Sequence, residues 1–284
     1  MPLLAILLLL LSAGLHAFWN LLLKRSREKY IAMGWQVILG GILAFFLLLF
    51  TGLPPRSLWL FAALSIALEA LYFILLSSAY SDHDFSLVYP IARGTAPAFL
   101  VLWSVLFLHE TLNPGGILGV AMIVSGMVII GMTNLLQKRG SRLHARGVMV
   151  ALAVALLISL YTLVDGTAVK SGPPLPYALT MFTGVPFLTT AYNLRRYGWK
   201  QFAAAWNGPR LHLILMAILG VVAYLLALLA YTFAPLSYSG AIREVSVVIG
   251  AFLGWQFLKE QMGGTRLLGS IVIFAGILTI ALFG

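Results

Sequence analysis

The chain has 284 residues, of which 61% are hydrophobic and 9% are charged, and its formal net charge is +10. A soluble domain carries about 25% charged residues, so this composition excludes a water-soluble globular fold. The chain has no cysteine, which excludes disulfides, thiolate metal sites and a cysteine nucleophile. The basic residues lie in short loops between apolar segments, where anionic lipid head groups account for them better than nucleic acid does.

Ten apolar segments follow one another along the chain, each near the ~20 residues that a helix needs to cross ~30 Å of hydrocarbon. The seventh is the least clear, because it contains Pro186. The pattern predicts an all-α membrane protein with ten transmembrane helices. Their predicted ranges are 3–23, 31–50, 57–79, 86–108, 115–135, 147–169, 176–193, 211–233, 237–257 and 265–283.

A basic run at 137–146 divides the chain into two halves of five spans, 1–136 and 147–284. Because five is odd, the second half enters the membrane in the opposite sense, which predicts two inverted repeats. Fourteen basic residues flank the loops of one face, whereas only Arg56 and Lys170 lie on the other. This bias predicts a multi-pass protein of a bacterial-type inner membrane, with cytoplasmic basic loops and both termini outside.

Residues 109–126 and 259–276 are near-copies of each other, 150 positions apart. Each block begins with a loop that contains a glutamate and continues into a span with glycines seven residues apart. The same offset places Arg93 on Arg243, so each half has one arginine inside an apolar segment. Small residues let helices approach closely, so the sequence predicts that these glycines, on one face of the last span of each half, form a packed seam rather than a binding site. The glycines of this seam are Gly119, Gly126, Gly269 and Gly276.

The two blocks, FLHETLNPGGILGVAMIVSGMVIIG and FLKEQMGGTRLLGSIVIFAGILTIA, together with the two five-span halves, resemble the drug/metabolite transporter superfamily, EamA type. The resemblance covers essentially the whole chain. It implies a ten-helix secondary transporter of small metabolites with a central cavity between the halves and no ATP site. The four-helix relatives use a glutamate in their first span, but residues 3–23 contain no acid, so that proton mechanism is not implied here.

Five charged residues lie inside predicted spans: Glu69, Arg93, Asp165, Arg243 and Glu244. A charge at the bilayer centre costs at least ~2.5–3.5 kcal/mol, so each of them needs a role. A guanidinium offers paired donors that suit a carboxylate or a phosphate. Two interpretations stay open for the arginines. Either they contact a substrate, or they hold the halves in register, with Arg243 on Glu69 or Asp165 and Arg93 on helix-end carbonyls.

Further residues lie near these charges at helical spacing or share one face of the first span, and they are predicted to contact the substrate. Packing or anchoring at the membrane interface is the alternative for the aromatic ones. His16, on the same face of the first span, fits a hydrogen bond between helices better than a proton relay. The predicted contacts are Tyr89, Tyr72, Tyr161, Trp19 and Asn20.

The function predicted from these residues is secondary active transport, with export as the expected direction, of a small anionic or zwitterionic metabolite such as an amino acid or related organic acid. Arg93 and Arg243 would hold the acidic group. Glu69, Asp165 or Glu244 would balance charge, bind an amine or carry a coupling proton. Alternating access between the inverted halves would move the substrate.

Two other functions remain open from the sequence. A carrier or flippase for a phosphate-headed lipid or another phosphorylated compound would use the same arginines, and a membrane scaffold would transport nothing. No enzyme motif, cofactor motif or metal-ligand spacing occurs, so we expect no catalysis, no cofactor and no metal. The expected partners are the small-molecule substrate, membrane lipids and protons, but not nucleic acid. The expected state is a monomer or a homodimer.

Overall fold

The structure, a computed structural model, describes residues 1–26, 28–82, 85–137, 145–204, 206, 210–258 and 264–283. The side chains of 77–82, 85–90, 131–137, 145–146, 258 and 266 lie outside this description. Within the described ranges the chain forms α-helices and one 3-10 turn, and no strand, which confirms the all-α prediction. The helices are α1 Leu3–Arg25, α2 Lys29–Thr51, α3 Trp59–Asp82, α4 Phe85–Leu108, α5 Pro114–Gln137, α6 Ala145–Ser171, α7 Pro174–Ala204, α8 Arg210–Tyr231, α9 Leu236–Arg243, α10 Val245–Leu258 and α11 Gly264–Phe283.

The ninth predicted span, 237–257, consists of two helices rather than one. Helix α9 ends at Arg243, and Glu244 separates it from α10. Glu244 keeps a right-handed backbone (φ −68°, ψ −10°), and its N–H donates to the carbonyl of Ala241, which tightens the turn. Interrupted spans near the bilayer centre are where carriers place their binding groups. Here the interruption falls at the Arg243–Glu244 pair.

The helix of the seventh predicted span, 176–193, continues a few residues beyond the predicted end. Helix α7 is interrupted at Gly198, whose φ of 74° is in the left-handed region that favours glycine, and a second helical stretch follows it to Ala204. Pro186 lies inside the helix and packs on Gly41 of α2, where a Cβ would have no room. The apolar stretch ends before the helix does, because the last turns carry exposed polar and basic residues. Hydrophobicity therefore located this helix but not its end.

Seven helical segments in the described ranges are long and apolar enough to cross a membrane, one of them formed by α9 and α10 together, while α5 and α11 contribute shorter apolar stretches. Their outer surface is apolar, with Phe50 88% exposed and Leu282 73% exposed. In water such exposure would be unfavourable, whereas lipid tails accommodate it. The helices thus form a bundle whose outside suits a bilayer.

The helices of the two halves pack on each other in a pattern that repeats when the halves are exchanged. Helix α1 packs on α8, as α6 packs on α3. Helix α1 also packs on α9 and α10, as α6 packs on α4. The equivalent helices α2 and α7 pack on each other, and so do α5 and α11. The main core draws on both halves, with Leu9 and Met127 from the first, and Met181 and Leu228 from the second. The two repeats therefore share one core.

The glycines predicted to form a seam lie between α5 and α11. A Cβ on Gly119 would lie 2.8 Å from the carbonyl oxygen of Gly276, and one on Gly126 would lie 2.7 Å from that of Gly269. Atoms do not approach this closely without displacement, so the two backbones are nearer than any side chain would permit. The predicted seam is confirmed.

The connections between helices gather at two ends of the bundle. At the Glu110 end, Glu110, Lys170 and Leu236 meet. At the basic end, the ring of Trp35 stacks on Phe202 and lies against Trp206. Residues 138–144 of the predicted basic linker lie outside the described ranges.

Candidate functional site

Arg93 is fixed by an ion pair between the two halves. It lies on α4 and is 9% exposed. Its Nε lies 3.0 Å from Oε2 of Glu244, and its Nη2 donates to Oγ of Ser246 at 3.2 Å. Glu244 and Ser246 are also buried. The sequence did not predict this carboxylate partner, because Glu244 is 151 positions from Arg93 and lies in the other repeat.

Arg243 has a different environment. It ends α9 and is partly exposed. Its Nη1 donates to the hydroxyl of Tyr231 at 3.0 Å, and its Cζ lies 5.1 Å from the centre of the Tyr224 ring, a cation–π contact. Among the described residues neither Glu69 nor Asp165 lies within ion-pair distance of Arg243. The contacts of Arg243 are with neutral aromatic groups.

Asp165 is fully buried on α6 and is held by two phenols. The hydroxyl of Tyr177 donates to its Oδ1 at 2.6 Å, and the hydroxyl of Tyr224 donates to Oδ2. Glu69, on α3, is also buried and lies close enough to Asp165 and Arg243 for electrostatic interaction with both. Two carboxyl groups and one guanidinium thus share the interior between the halves.

Aromatic rings form a continuous wall beside these charges. Tyr72 of α3 lies 5.6 Å from Tyr161 of α6, measured between ring centres. Tyr161 lies 6.4 Å from Tyr224, and Phe182 of α7 lies 5.9 Å from the same ring. The structure therefore brings Tyr72 and Tyr161, both predicted contacts, to the charged residues. The wall could contact the organic part of a solute.

Each half of the sequence matches the same protein family. Residues 3–132 and 145–282 match the EamA-like transporter family, one match in each half. The chain belongs to that family. The resemblance predicted from the repeated blocks is confirmed, and with it a multi-pass membrane protein of the drug/metabolite transporter type.

Solved structures have the same fold as this EamA-family protein. One of them, titled "Crystal structure of protein", superimposes with a TM-score of 0.76 at 16% sequence identity, over 98% of this chain and 96% of that chain. At this identity the likeness concerns the fold alone. No curated protein matches the sequence.

In the first span of this EamA-family chain, His16 interacts with the charged centre more directly than Trp19 and Asn20 do. His16 lies close enough to Arg93 and Arg243 for their charges to act on it. The ring of Trp19 meets that of His16 edge-on at 5.0 Å and packs with Leu22 and Met216. The side-chain amide of Asn20 donates to the carbonyl of His16 at 2.8 Å, a hydrogen bond within its own helix. The side chain of Tyr89 lies outside the described residues.

A narrow cleft with a volume of about 10 Å³ opens between α2, α3 and α7. Tyr30, Thr189 and Asn193 line it, together with Phe73. Phe73 lies one helical turn beyond Glu69, and its ring contacts that of Tyr72 at 5.1 Å.

The sequence did not predict the tyrosines that contact Asp165 and Arg243, which are Tyr177, Tyr224 and Tyr231. The one available signal was on α8, where Tyr224 and Tyr231 are seven residues apart and share a face. Tyr177 carries no such signal, because it lies three residues into α7, where interfacial tyrosines are common. No group of three His, Asp or Glu side chains that could hold a metal occurs in the part of the chain that the structure describes.

Proposed function

We propose that this chain is a secondary transporter of a small zwitterionic or singly charged anionic metabolite, such as an amino acid or a related organic acid. The observation that carries the proposal is the environment of Arg243. Its guanidinium lies at an interruption of the ninth span, is partly exposed, and contacts tyrosines instead of a carboxylate. Such a group keeps donors for the carboxylate of a solute.

The charges of the centre favour a zwitterion. Arg93 and Glu244 neutralise each other. That leaves one cation, Arg243, beside two carboxyl groups, Glu69 and Asp165, among the described residues of the centre. A buried charge without compensation is costly, so an ammonium group or a proton completes the balance. A doubly charged phosphate fits less well, because it would add to the excess of negative charge.

Glu69 is the residue that we propose carries a coupling proton. Asp165 accepts hydrogen bonds from two phenols, which stabilise its ionised form. Glu69 is buried in the same region, so it is the carboxyl group best suited to bind and release a proton as substrate leaves and enters. Protonation in one state and release in the other would let a proton gradient drive transport.

The substitution Glu69→Gln tests the coupling. We expect uptake driven by a pH gradient into proteoliposomes to be lost, while exchange of substrate across the membrane survives, because exchange needs no net proton movement. Glu28→Gln, which changes an exposed glutamate at the basic end, is the control. If gradient-driven uptake persists in Glu69→Gln with the same pH dependence, Glu69 is not the proton carrier.

A ligand screen tests the substrate class. Purified protein would be heated with amino acids, monocarboxylates, dicarboxylates, phosphate esters and lipid extracts, and the shift in Tm recorded for the parent, Arg243→Ala and Arg243→Lys. The proposal predicts stabilisation by a zwitterion or monoanion that Arg243→Ala abolishes. Stabilisation by phosphate-headed lipid alone would replace the proposal with the lipid carrier, and none by any compound would favour a scaffold.

The orientation belongs to the proposal as well. We place the basic end in the cytoplasm of a bacterial-type cell and the Glu110 end outside, on the charge bias of the loops. A cysteine at exposed Lys200 should be shielded from impermeant thiol reagents in intact cells, and one at exposed Arg56 should react. Because the chain has no cysteine of its own, labelling reports these positions alone. The opposite pattern would reverse the orientation.

A further inference from the structure

Glu110 lies in the connection between α4 and α5, yet its side chain is only 10% exposed. Its Oε1 accepts from the N–H of Leu236 at 2.6 Å and from Nζ of Lys170 at 3.1 Å. Its Oε2 accepts from the N–H of Ser237 at 3.1 Å and from the hydroxyl of Ser237 at 2.7 Å. One carboxylate therefore joins three elements: its own loop, the end of α6 and the first turn of α9.

These contacts keep Glu110 ionised. Burial by itself raises the pKa of its carboxyl group, but hydrogen bonds from the backbone of Leu236 and from Ser237, together with the charge of Lys170, outweigh burial and hold the pKa below its ordinary value. The N–H groups of the first turn of a helix favour an anion for the same reason. The ionised carboxylate thus holds the start of α9.

The backbone around Glu110 is shaped for this contact. His109 has a φ of 52°, a left-handed conformation that is uncommon for residues other than glycine. It turns the chain so that the N–H of Glu110 donates to the carbonyl of Ser104 at 3.1 Å. The hydroxyl of Tyr238, on α9, accepts from the N–H of Asn113 at 3.2 Å, and its ring lies against Gly116. Residues 109–116 therefore hold the first turn of α9 at several points.

Helix α9 has eight residues, with Leu236 at its start and Arg243 at its end. Its length is about 12 Å at ~1.5 Å per residue. We propose that Glu110 is a latch: by holding the first turn of α9 it closes the Glu110 end of the transport path, and through α9 it positions Arg243. The inference rests on the proposed function for what passes along that path. Release of the carboxylate frees α9 to move, which opens this end.

The latch predicts how access to the Glu110 end changes when Glu110 is altered. Ala234, in the turn before α9, is 3% exposed and belongs to the main core. A single cysteine at Ala234 in purified full-length protein in lipid nanodiscs would be labelled with an impermeant maleimide. We expect Glu110→Gln to speed labelling about tenfold, because an amide replaces one acceptor with a donor that repels N–H groups. Glu110→Asp should restore part of the slow rate.

Three comparisons separate a latch from general loss of structure. Glu28→Gln, at the opposite end, should leave the labelling rate unchanged. Lys170→Gln removes the cation and leaves the contacts with α9, so its rate should rise only about twofold. Glu110→Gln should also keep a cooperative unfolding transition and an unchanged rate at a cysteine placed at exposed Lys200. Parent-like labelling of the Ala234 position in Glu110→Gln would overturn the proposal.

Acidification offers the same test without a substitution. Because the pKa of Glu110 is held below its ordinary value, the latch has full strength above the ordinary glutamate range and weakens as the pH falls through the lowered pKa. The other titratable groups near it are Lys170 on α6, Tyr238 on α9 and the neighbouring His109. Relative to the intrinsic thiol rate, labelling should rise on acidification in the parent and not in Glu110→Gln. Equal pH profiles would contradict the latch. Since no substrate is used, the result is independent of whether the proposed substrate is correct.

Discussion

Arg93 and Arg243 occupy equivalent positions of the two repeats, and their surroundings differ in kind. Arg93 faces the carboxylate of Glu244 at 3.0 Å and is buried. Arg243 faces the hydroxyl of Tyr231 and the ring of Tyr224 and is partly exposed. An inverted repeat supplies two copies of a cationic site, and here the two copies have different partners. In the proposed function, Arg93 joins the repeats and Arg243 binds the solute.

The difference follows from how a buried charge is compensated. An ion pair in a poorly hydrated interior stays closed, because opening it leaves two charges uncompensated. A guanidinium on a tyrosine ring is stabilised by ~0.5–2 kcal/mol and keeps its capacity to bind an anion. Chemical equivalence in sequence therefore does not imply equal roles, and the following substitutions separate the two arginines.

The largest expected effect is on stability, at Arg93. Arg93→Ala leaves Glu244 buried without its partner, which should cost about 3–5 kcal/mol and lower the Tm measured in detergent. Replacing both members, in Arg93→Met with Glu244→Leu, removes the uncompensated charge and should recover most of that loss. An unchanged Tm in Arg93→Ala would show that the pair does not join the repeats.

Arg243→Ala should act on binding instead. Loss of the charged donor should weaken binding of the ligand found in the screen by at least ~2 kcal/mol, or roughly 30-fold in Kd, with little change in the Tm of the free protein. Arg243→Lys keeps the charge without the planar fork and should bind with intermediate affinity. Equal losses of binding in Arg93→Lys and Arg243→Lys would remove the distinction between the sites.

The glycine seam supplies the opposite case, in which the two repeats should respond alike. Gly126→Ala and Gly269→Ala each place a Cβ within 2.8 Å of the other's carbonyl oxygen, so each should lower stability by about 1–3 kcal/mol. Gly250→Ala is the control, because no atom lies within 4 Å of its Cβ. Thermal unfolding measures all three. Clearly unequal losses at Gly126 and Gly269 would show that the seam too is asymmetric.

The smallest effect concerns the turn that presents Glu110. His109→Gly removes the strain of the left-handed conformation and should keep the slow labelling of a cysteine at Ala234, whereas His109→Val should cost about 1–2 kcal/mol and speed it. Maleimide labelling in nanodiscs compares the two variants directly. Identical rates would show that this turn does not support the contact that positions Arg243.

The sequence by itself determined the class of protein, nearly all the spans, the two repeats, the glycine seam and the equivalence of the two arginines. These features depend on the length of the apolar segments, on helical residue spacing and on the internal repeat, all of which are visible in the linear sequence. Only the tertiary structure decided which partner each charge receives. Asp165 takes one of its phenols from 59 positions away, Glu110 holds a helix that starts 126 positions later, and Arg93 meets Ser246 across 153 positions. Hydrophobicity places Asp165 and Arg93 inside the bilayer, but the packing of distant helices determines which residues they contact.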